Sequence, residues 1–410
     1  LNQFIYNFIS PTNIDIYSVK TDYEQNYKKG KLGFGGKLSI VNTDNNFGRY
    51  DVDNNIKTLD IGRSNQFNYS ENINALYVNY NRPLKGAVIQ AGLRAENTNS
   101  DGKSYPLNAD GSVNYSIVQT FKRHYTDLFP SAAITFNKKP TNQWTISYSR
   151  RIDRPAYQDL NPFEFKLDEY TYQKGNTDLR PQYTNSIGLT NVYKFKLTTA
   201  LNFSHVADVF TQLVDTAEKS KAFISKKNLA TQNIVSLNIS YPFQYKAYSA
   251  FVNVNSYYSH YKADFGGGNR LINLDVLAMT FYMQNSIKIG KKGWTGELSG
   301  FYSSPTIWQG TFKSHQLWSV DGGFQKSLFK NKANLKISVS DIFNTLRPKG
   351  SSSFAGQYIL FNARFESRQF KLSYTWRFGN SQVKAARQRK SAAEDENKRS
   401  QQSSGGIGNQ

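Results

Sequence analysis

A two-residue rhythm of apolar and polar side chains runs through this chain from near its start to about residue 378. In Val235-Ser-Leu237-Asn-Ile239-Ser-Tyr241 every odd position is apolar and every even one is small or polar. Trp144-Thr-Ile146-Ser-Tyr148-Ser, Ala333-Asn-Leu335-Lys-Ile337-Ser-Val339-Ser and Phe370-Lys-Leu372-Ser-Tyr374-Thr-Trp376-Arg-Phe378 keep the same period. Successive side chains of a strand point to opposite faces, so this period marks strands whose two faces meet unlike surroundings. Helical periodicity is almost absent, and the chain reads as all-β.

About fifteen strands can be placed between residues 13 and 378, among them 31–42, 86–98, 118–137, 142–153, 182–193, 333–345 and 358–378. Their connections alternate in length. Tyr27-Lys-Lys-Gly30, Arg82-Pro-Leu-Lys85 and Gly290-Lys-Lys-Gly293 are tight turns, whereas 43–65, 99–117, 154–181, 263–271 and 346–357 are long. A meander with short turns at one end and long loops at the other is the pattern of a transmembrane antiparallel β-barrel. Several strands run well beyond the usual five or six residues, as tilted strands that cross a bilayer must.

Composition agrees with that reading. Aromatic residues make up 15% of the chain, yet mean hydropathy is −0.61. Lumen-facing residues that alternate with lipid-facing ones give this mixture. No run of 18 apolar residues is present, the richest being near Leu274 to Met283, so a helical span is excluded. The chain has no cysteine and four scattered histidines, His124, His205, His260 and His315, which argues against disulfide, thiolate and metal chemistry. No cofactor is expected. The charge of +21 suits nucleic acid, anionic lipid or lipopolysaccharide equally and selects none of them. The chain begins at Leu1 without an initiator Met or an apolar leader, so it reads as processed or as a fragment.

Ser147-Tyr-Ser-Arg-Arg-Ile-Asp-Arg-Pro-Ala-Tyr-Gln-Asp-Leu-Asn-Pro-Phe163, with Leu167-Asp-Glu-Tyr-Thr-Tyr-Gln-Lys-Gly-Asn176 and Leu179-Arg-Pro-Gln-Tyr183, resembles the Bacteroidetes-type outer-membrane β-barrel family within the TonB-dependent receptors. Gly92-Leu-Arg-Ala-Glu96, Thr126-Asp-Leu-Phe-Pro-Ser-Ala132, Val339-Ser-Asp-Ile-Phe-Asn344 and the terminal Leu372-Ser-Tyr-Thr-Trp-Arg-Phe-Gly379 support the resemblance, which covers most of residues 10 to 380. It implies an outer-membrane receptor that imports a scarce or bulky ligand, with a plug domain, the TonB complex, the barrel assembly machinery, and outer-membrane lipid and lipopolysaccharide as partners. By that resemblance the barrel would have 22 strands. About seven strands and the plug would then precede Leu1, making residues 1–379 the C-terminal part of the barrel.

Arg150, Arg151 and Arg154 with Asp153 and Asp159 form the densest charged group, at the entry to the longest loop. Arg151 shares parity with Thr145, Ser147 and Ser149 and is expected to face the lumen, where it would hold an acidic ligand or a plug carboxylate; Arg150 is expected on the lipid face. The more ordinary reading is a charge ladder that braces the rim. Tyr157, Phe163, Phe165, Tyr170 and Tyr172 make the same loop aromatic, either as a stacking surface for a ligand or as its own small core. Arg151, Arg154, Tyr157, Asp159, Tyr170 and Tyr172 are therefore the candidate ligand residues. Tyr374, Trp376 and Phe378 form the interfacial face of the closing strand, and Trp144, Trp294, Trp308 and Trp318 also lie near strand ends.

Residues 380–410 lose the alternation and are expected to form a disordered basic and polar periplasmic tail. Their lack of aromatic residues argues against nucleic acid. No GxSxG elbow, P-loop or HExxH sequence occurs, and Gly266-Gly-Gly268 lies between strands as a loop hinge, so no enzyme is indicated. Two other readings compete: a passive porin of about sixteen strands, and a soluble carbohydrate-binding β protein.

Overall fold

The computed structural model describes residues 5–167, 170–218, 221–264, 270–307, 311–354, 356–379 and 391–402. Fifteen strands form one continuous antiparallel meander. They are β1 (Thr12–Tyr27), β2 (Gly30–Asp53), β3 (Asn65–Leu84), β4 (Ala87–Pro106), β5 (Gln119–Phe136) and β6 (Asn142–Asp153). β7 (Gln182–Tyr193), β8 (Leu197–Glu218), β9 (Lys221–Tyr245), β10 (Tyr248–Asp264) and β11 (Leu271–Ile289) follow. β12 (Trp294–Ser303), β13 (Leu317–Leu328), β14 (Ala333–Ser340) and β15 (Gln369–Trp376) complete it. Each strand pairs with the next, from β1 with β2 to β14 with β15.

Register explains the alternation. Residues directly opposite one another share a face, and Ile134, Ile146, Leu189, Leu201 and Leu237 stand opposite one another from β5 to β9. This apolar row is uncovered; Ile146 is 47% exposed and Leu76, on β3, 73%. So large a continuous apolar exterior is a surface for lipid rather than for water, which removes the soluble alternative. The opposite face is polar, with Thr135 and Thr145 hydroxyls 3.0 Å apart and Ser186 and Ser204 hydroxyls 2.8 Å apart.

At the short-turn rim, lysines stand over aromatic rings: Lys28 over Tyr27, Lys194 over Tyr193, Lys246 over Tyr245 and Lys326 over Trp294. These amphipathic pairs suit a membrane interface, where the ring is half immersed and the ammonium stays wet. Trp144 and Trp376 lie at the same rim, the latter 6.3 Å from Tyr374 and 5.1 Å from Phe329; Phe378 follows, exposed. Trp318 instead lies at the long-loop end of β13, against Phe343. Trp308 and Gly266 to Gly268 lie outside the described residues.

Several strand boundaries differ from expectation. The loop expected at 43–65 is largely strand, since β2 continues to Asp53 and turns back over Ile56–Leu59. β4 likewise runs to Pro106. Apolar and polar residues stop alternating here because buried positions such as Thr43, Asn45, Arg49 and Ser104 are themselves polar, whereas the backbone ladder needs no particular side chain and continues. The strand expected at 358–378 is two, Gln357–Asn362 and β15. Of the tail, residues 391–402 are described, and Glu394–Gln402 form a helix, α1, whose Arg399 is buried against Glu71 of β3. Its order comes from ion pairs with the inner wall, which composition alone does not register.

β14 stops at Ser340, and Asp341 organises the loop that follows. Its carboxylate accepts hydrogen bonds from the Thr345 amide at 2.9 Å, the Leu346 amide at 3.0 Å and the Ser367 hydroxyl at 2.6 Å. Burial alone would push this carboxyl up, but the hydrogen bonds from Ser367, Thr345 and Leu346 outweigh it and hold the pKa down to about 2. A lowered pKa means that the stabilisation is complete above the ordinary aspartate value of 3.8 and is lost as pH falls towards 2. Asp341→Asn should therefore remove on the order of 2 kcal/mol at neutral pH and leave the 341–368 loop more open to protease. Wild-type and variant proteolysis rates should converge near pH 2; a constant difference across that window would sink the assignment.

Candidate functional site

The loop between β6 and β7 folds inward instead of projecting. Pro155 follows Arg154, and the 3-10 turn Tyr157–Leu160 comes next. Asp159 fixes that turn by accepting the Ala156 amide at 3.2 Å and ties it to β9 through the Lys226 ammonium at 2.8 Å. Asn161 donates to the Asn45 side chain at 3.2 Å and accepts from Asn65 at 3.3 Å, bridging the loop to β2 and β3. Further on, Glu164–Lys166 pairs with Thr171–Lys174, which runs parallel to residues 222–224 of β9. Gly175 has its reason here: a Cβ would collide with the Asn161 carbonyl oxygen, so any side chain would force the loop ends apart.

Tyr157 and Leu179, 1% and 0% exposed, and the buried Leu160 pack with Val41, Phe67 and Tyr69 of β2 and β3. Tyr172 stacks on Phe223 with centroids 5.6 Å apart. Phe163 and Phe165 lie against Phe47. Arg123 on β5 donates to the carbonyls of Thr177 and Leu179. The loop therefore runs from β6 across to β2 and β3 and back past β9, a strap over one end of the sheet's polar face.

Beneath the strap lies a buried charge network. Arg154 donates to the Glu96 carboxylate at 2.8 Å, the Thr98 hydroxyl at 3.0 Å and the Tyr125 hydroxyl at 3.2 Å. Burial would lower its pKa, yet Tyr125, Glu96 and Glu71 raise it above the usual range, so the guanidinium stays charged. Glu96 also pairs with Arg94 at 3.1 Å. Glu71 accepts the Tyr69 hydroxyl at 2.9 Å and the Arg399 guanidinium, which lies 4.3 Å over the Tyr157 ring. Burial pushes the Tyr157 phenol up. Behind the strap a cleft of about 650 Å³ opens among Arg180, Asp208, Asn228 and Lys262, with Arg180 and Asp208 paired at 2.8 Å.

Of the expected residues, Arg154, Tyr157 and Asp159 converge at the root of the strap, and Tyr172 is part of its core. Tyr170 is 70% exposed, its carbonyl accepting the Ala222 amide of β9 at 2.7 Å. The unbroken register of β6 with β7 keeps Arg151, opposite Thr184, on the face of Ser147 and Ser149, and Arg150, opposite Asn185, on the other. The β5–β6 ladder ends at Ser131 opposite Ser149, next to Pro130, which has no N–H to continue it. Arg150 fills the seam: it donates to the Leu128 carbonyl at 3.3 Å, lies 3.8 Å from Asp127 and stacks over Tyr183 at 5.1 Å. Arg151 remains exposed, opposite Thr184. Glu71, Glu96, Tyr125 and Arg123 were not among the expected residues. The signal that could have found the two glutamates is a carboxylate at an inward-parity position in mid-strand. Among the described residues no group of three or more carboxylates and histidines is placed to hold a metal.

The fold is shared with large outer-membrane receptors. The ferric yersiniabactin uptake receptor FyuA from Yersinia pestis is 11% identical with a TM-score of 0.64, covering 91% of this chain and 55% of that one. The Ferric-Catecholate import receptor Fiu from K12 E. coli is 12% identical with a TM-score of 0.64, covering 90% and 55%. The siderophore receptor PiuA from Acinetobacter baumannii is 10% identical at 0.62, covering 90% and 56%. At such identities the likeness is one of fold, and the chain spans little more than half the length of each. No curated protein matches the chain. The model of the outer membrane protein beta-barrel family matches residues 1–376, so the chain belongs to that family and is an outer-membrane β-barrel.

Proposed function

We propose that this chain is the barrel part of a TonB-dependent receptor that binds a ligand at its outer mouth and admits it inward. The observation that carries the reading is the strap, residues 154–181, laid across the polar face and held by Asp159–Lys226, the Asn161 bridges and the Arg154–Glu96 pair. The strap closes this end of the polar face with buried aromatic and aliphatic side chains, as a mouth that opens on ligand binding requires. FyuA, Fiu and FecA of like fold take up ferric chelates and OprC is a copper transporter, which suggests metal complexes as the ligand class. The strap's exposed Tyr170, the Arg180–Asp208 pair and the cleft beside it would meet such a ligand first. Lipid, lipopolysaccharide and the assembly machinery are the partners that an apolar exterior and an aromatic rim would meet.

The test has two arms, both in the full-length receptor. A cysteine at Lys174, in a chain without cysteine, should react on intact cells with an impermeant maleimide; reaction only after lysis would invert the topology. Deletion of residues 164–176 should then cut uptake of radio-iron, supplied as ferric citrate or a ferric catecholate, about tenfold per barrel. Uptake should also stop when the proton-motive force is collapsed. Energy-independent passage of small sugars through the purified protein in liposomes would instead establish the porin.

A further inference from the structure

We propose that the inner wall built from β2, β3 and the root of the strap is a docking site for the chain's own C-terminal helix, and that this helix works as a latch on the underside of the strap. Glu396, 2% exposed, receives the Lys37 ammonium of β2 at 2.9 Å. One turn further along, Arg399 joins α1 to both β3 and the strap. It donates to Glu71 of β3, donates through Nε to the Pro155 carbonyl at 3.1 Å, and covers the Tyr157 ring of the strap. Residues three apart share a helix face, so Glu396 and Arg399 meet the wall together.

The composition of α1 says what kind of contact this is. Its sequence, Glu394-Asp-Glu-Asn-Lys-Arg-Ser-Gln-Gln402, has no apolar stripe, and nine residues are too few for a helix to persist alone in water. The helix therefore exists while it is docked. Docking rests on two desolvated ion pairs, whose mutual attraction is largely offset by the cost of removing each charge from water. Such a contact is specific but reversible. The tail leaves β15 at the short-turn rim, whereas the strap closes the opposite one. The helix meets the strap from the side of the inner wall, whatever ligand the strap takes.

Zero-length carbodiimide coupling of the full-length receptor in isolated outer membranes tests the docking, because it joins an ammonium to a carboxylate in contact. Digestion and mass spectrometry should find Lys37 joined to Glu396. Arg399→Ala should reduce that product at least fivefold at equal barrel abundance, and Arg399→Lys should fall between. A cysteine at Gln158 reports the latch: its reaction with impermeant maleimide should quicken several-fold in Arg399→Ala. Should that variant assemble poorly, a receptor ending at residue 379 must show the same faster labelling. Because Asp395 of the same helix also lies 3.9 Å from Lys37, only a Lys37 product with a carboxylate outside α1, or no product between Lys37 and α1, overturns the docking. Unchanged Gln158 reactivity after loss of the cross-link overturns the latch. None of these readouts involves uptake, so they stand or fall apart from the receptor reading.

Discussion

Arginine in place of Leu76 should destabilise the barrel by about 2–4 kcal/mol, the cost of a cationic side chain on the lipid face near the bilayer midplane. Leu76 lies in the middle of β3, opposite Gly36 and Ala95, and is among the most exposed apolar residues on the outer face. In water an exposed leucine is worth little, so the size of the effect reports the solvent as well as the site. Folding of the full-length protein into liposomes, followed by heat-modifiable migration and urea titration, gives the number. Asn74→Arg, which keeps the parity of Leu76 but replaces a side chain already polar and bonded to Asn72, should cost less than Leu76→Arg. A Leu76→Arg protein as stable as wild type would mean that this face does not meet lipid.

Arg154→Ala should cost about 3–5 kcal/mol, because it leaves the Glu96 carboxylate buried with one of its two guanidinium partners gone. The loss falls on the strap as well as on the wall, since Arg154 is the last residue before the strap turns inward at Pro155. Arg154→Lys should recover only part, because an ammonium cannot reach Glu96, Thr98 and Tyr125 in the fixed fork of a guanidinium. The double variant Arg154→Ala with Glu96→Gln should be more stable than the sum of the single changes, because the orphaned charge is removed with its partner. Urea unfolding monitored by tryptophan fluorescence measures wild type and the four variants, Glu96→Gln alone included. A change below about 0.5 kcal/mol for Arg154→Ala would show that the pair is not desolvated.

The strap divides what could be read in the sequence from what could not. Its place between β6 and β7, its length and its aromatic content are plain in residues 154–181, and Arg154, Tyr157 and Asp159 stand out by their density at its start. That Tyr157 would pack on Phe67 and Tyr69, or that Asp159 would reach Lys226, is not legible there. Those partners sit on strands whose distance in space depends on how far the sheet curves. The contacts of Arg150 with Leu128 and Asp127 have a local cause, a proline at position 130 that ends the β5–β6 ladder, but its effect is felt on the neighbouring strand.

Strand order, face and rim came from the sequence alone, because the two-residue period is a property of the extended backbone and each hairpin is closed by its own turn. Every such contact is short in sequence and needs only the next strand to form. The charge network answers to a different rule. Glu71 and Arg399 are 328 residues apart, and nothing in a basic, polar tail distinguishes a segment that docks from one that stays in water. Only the curved wall, by placing Lys37 and Glu71 beside the root of the strap and excluding water from them, makes order in that segment worth its entropy.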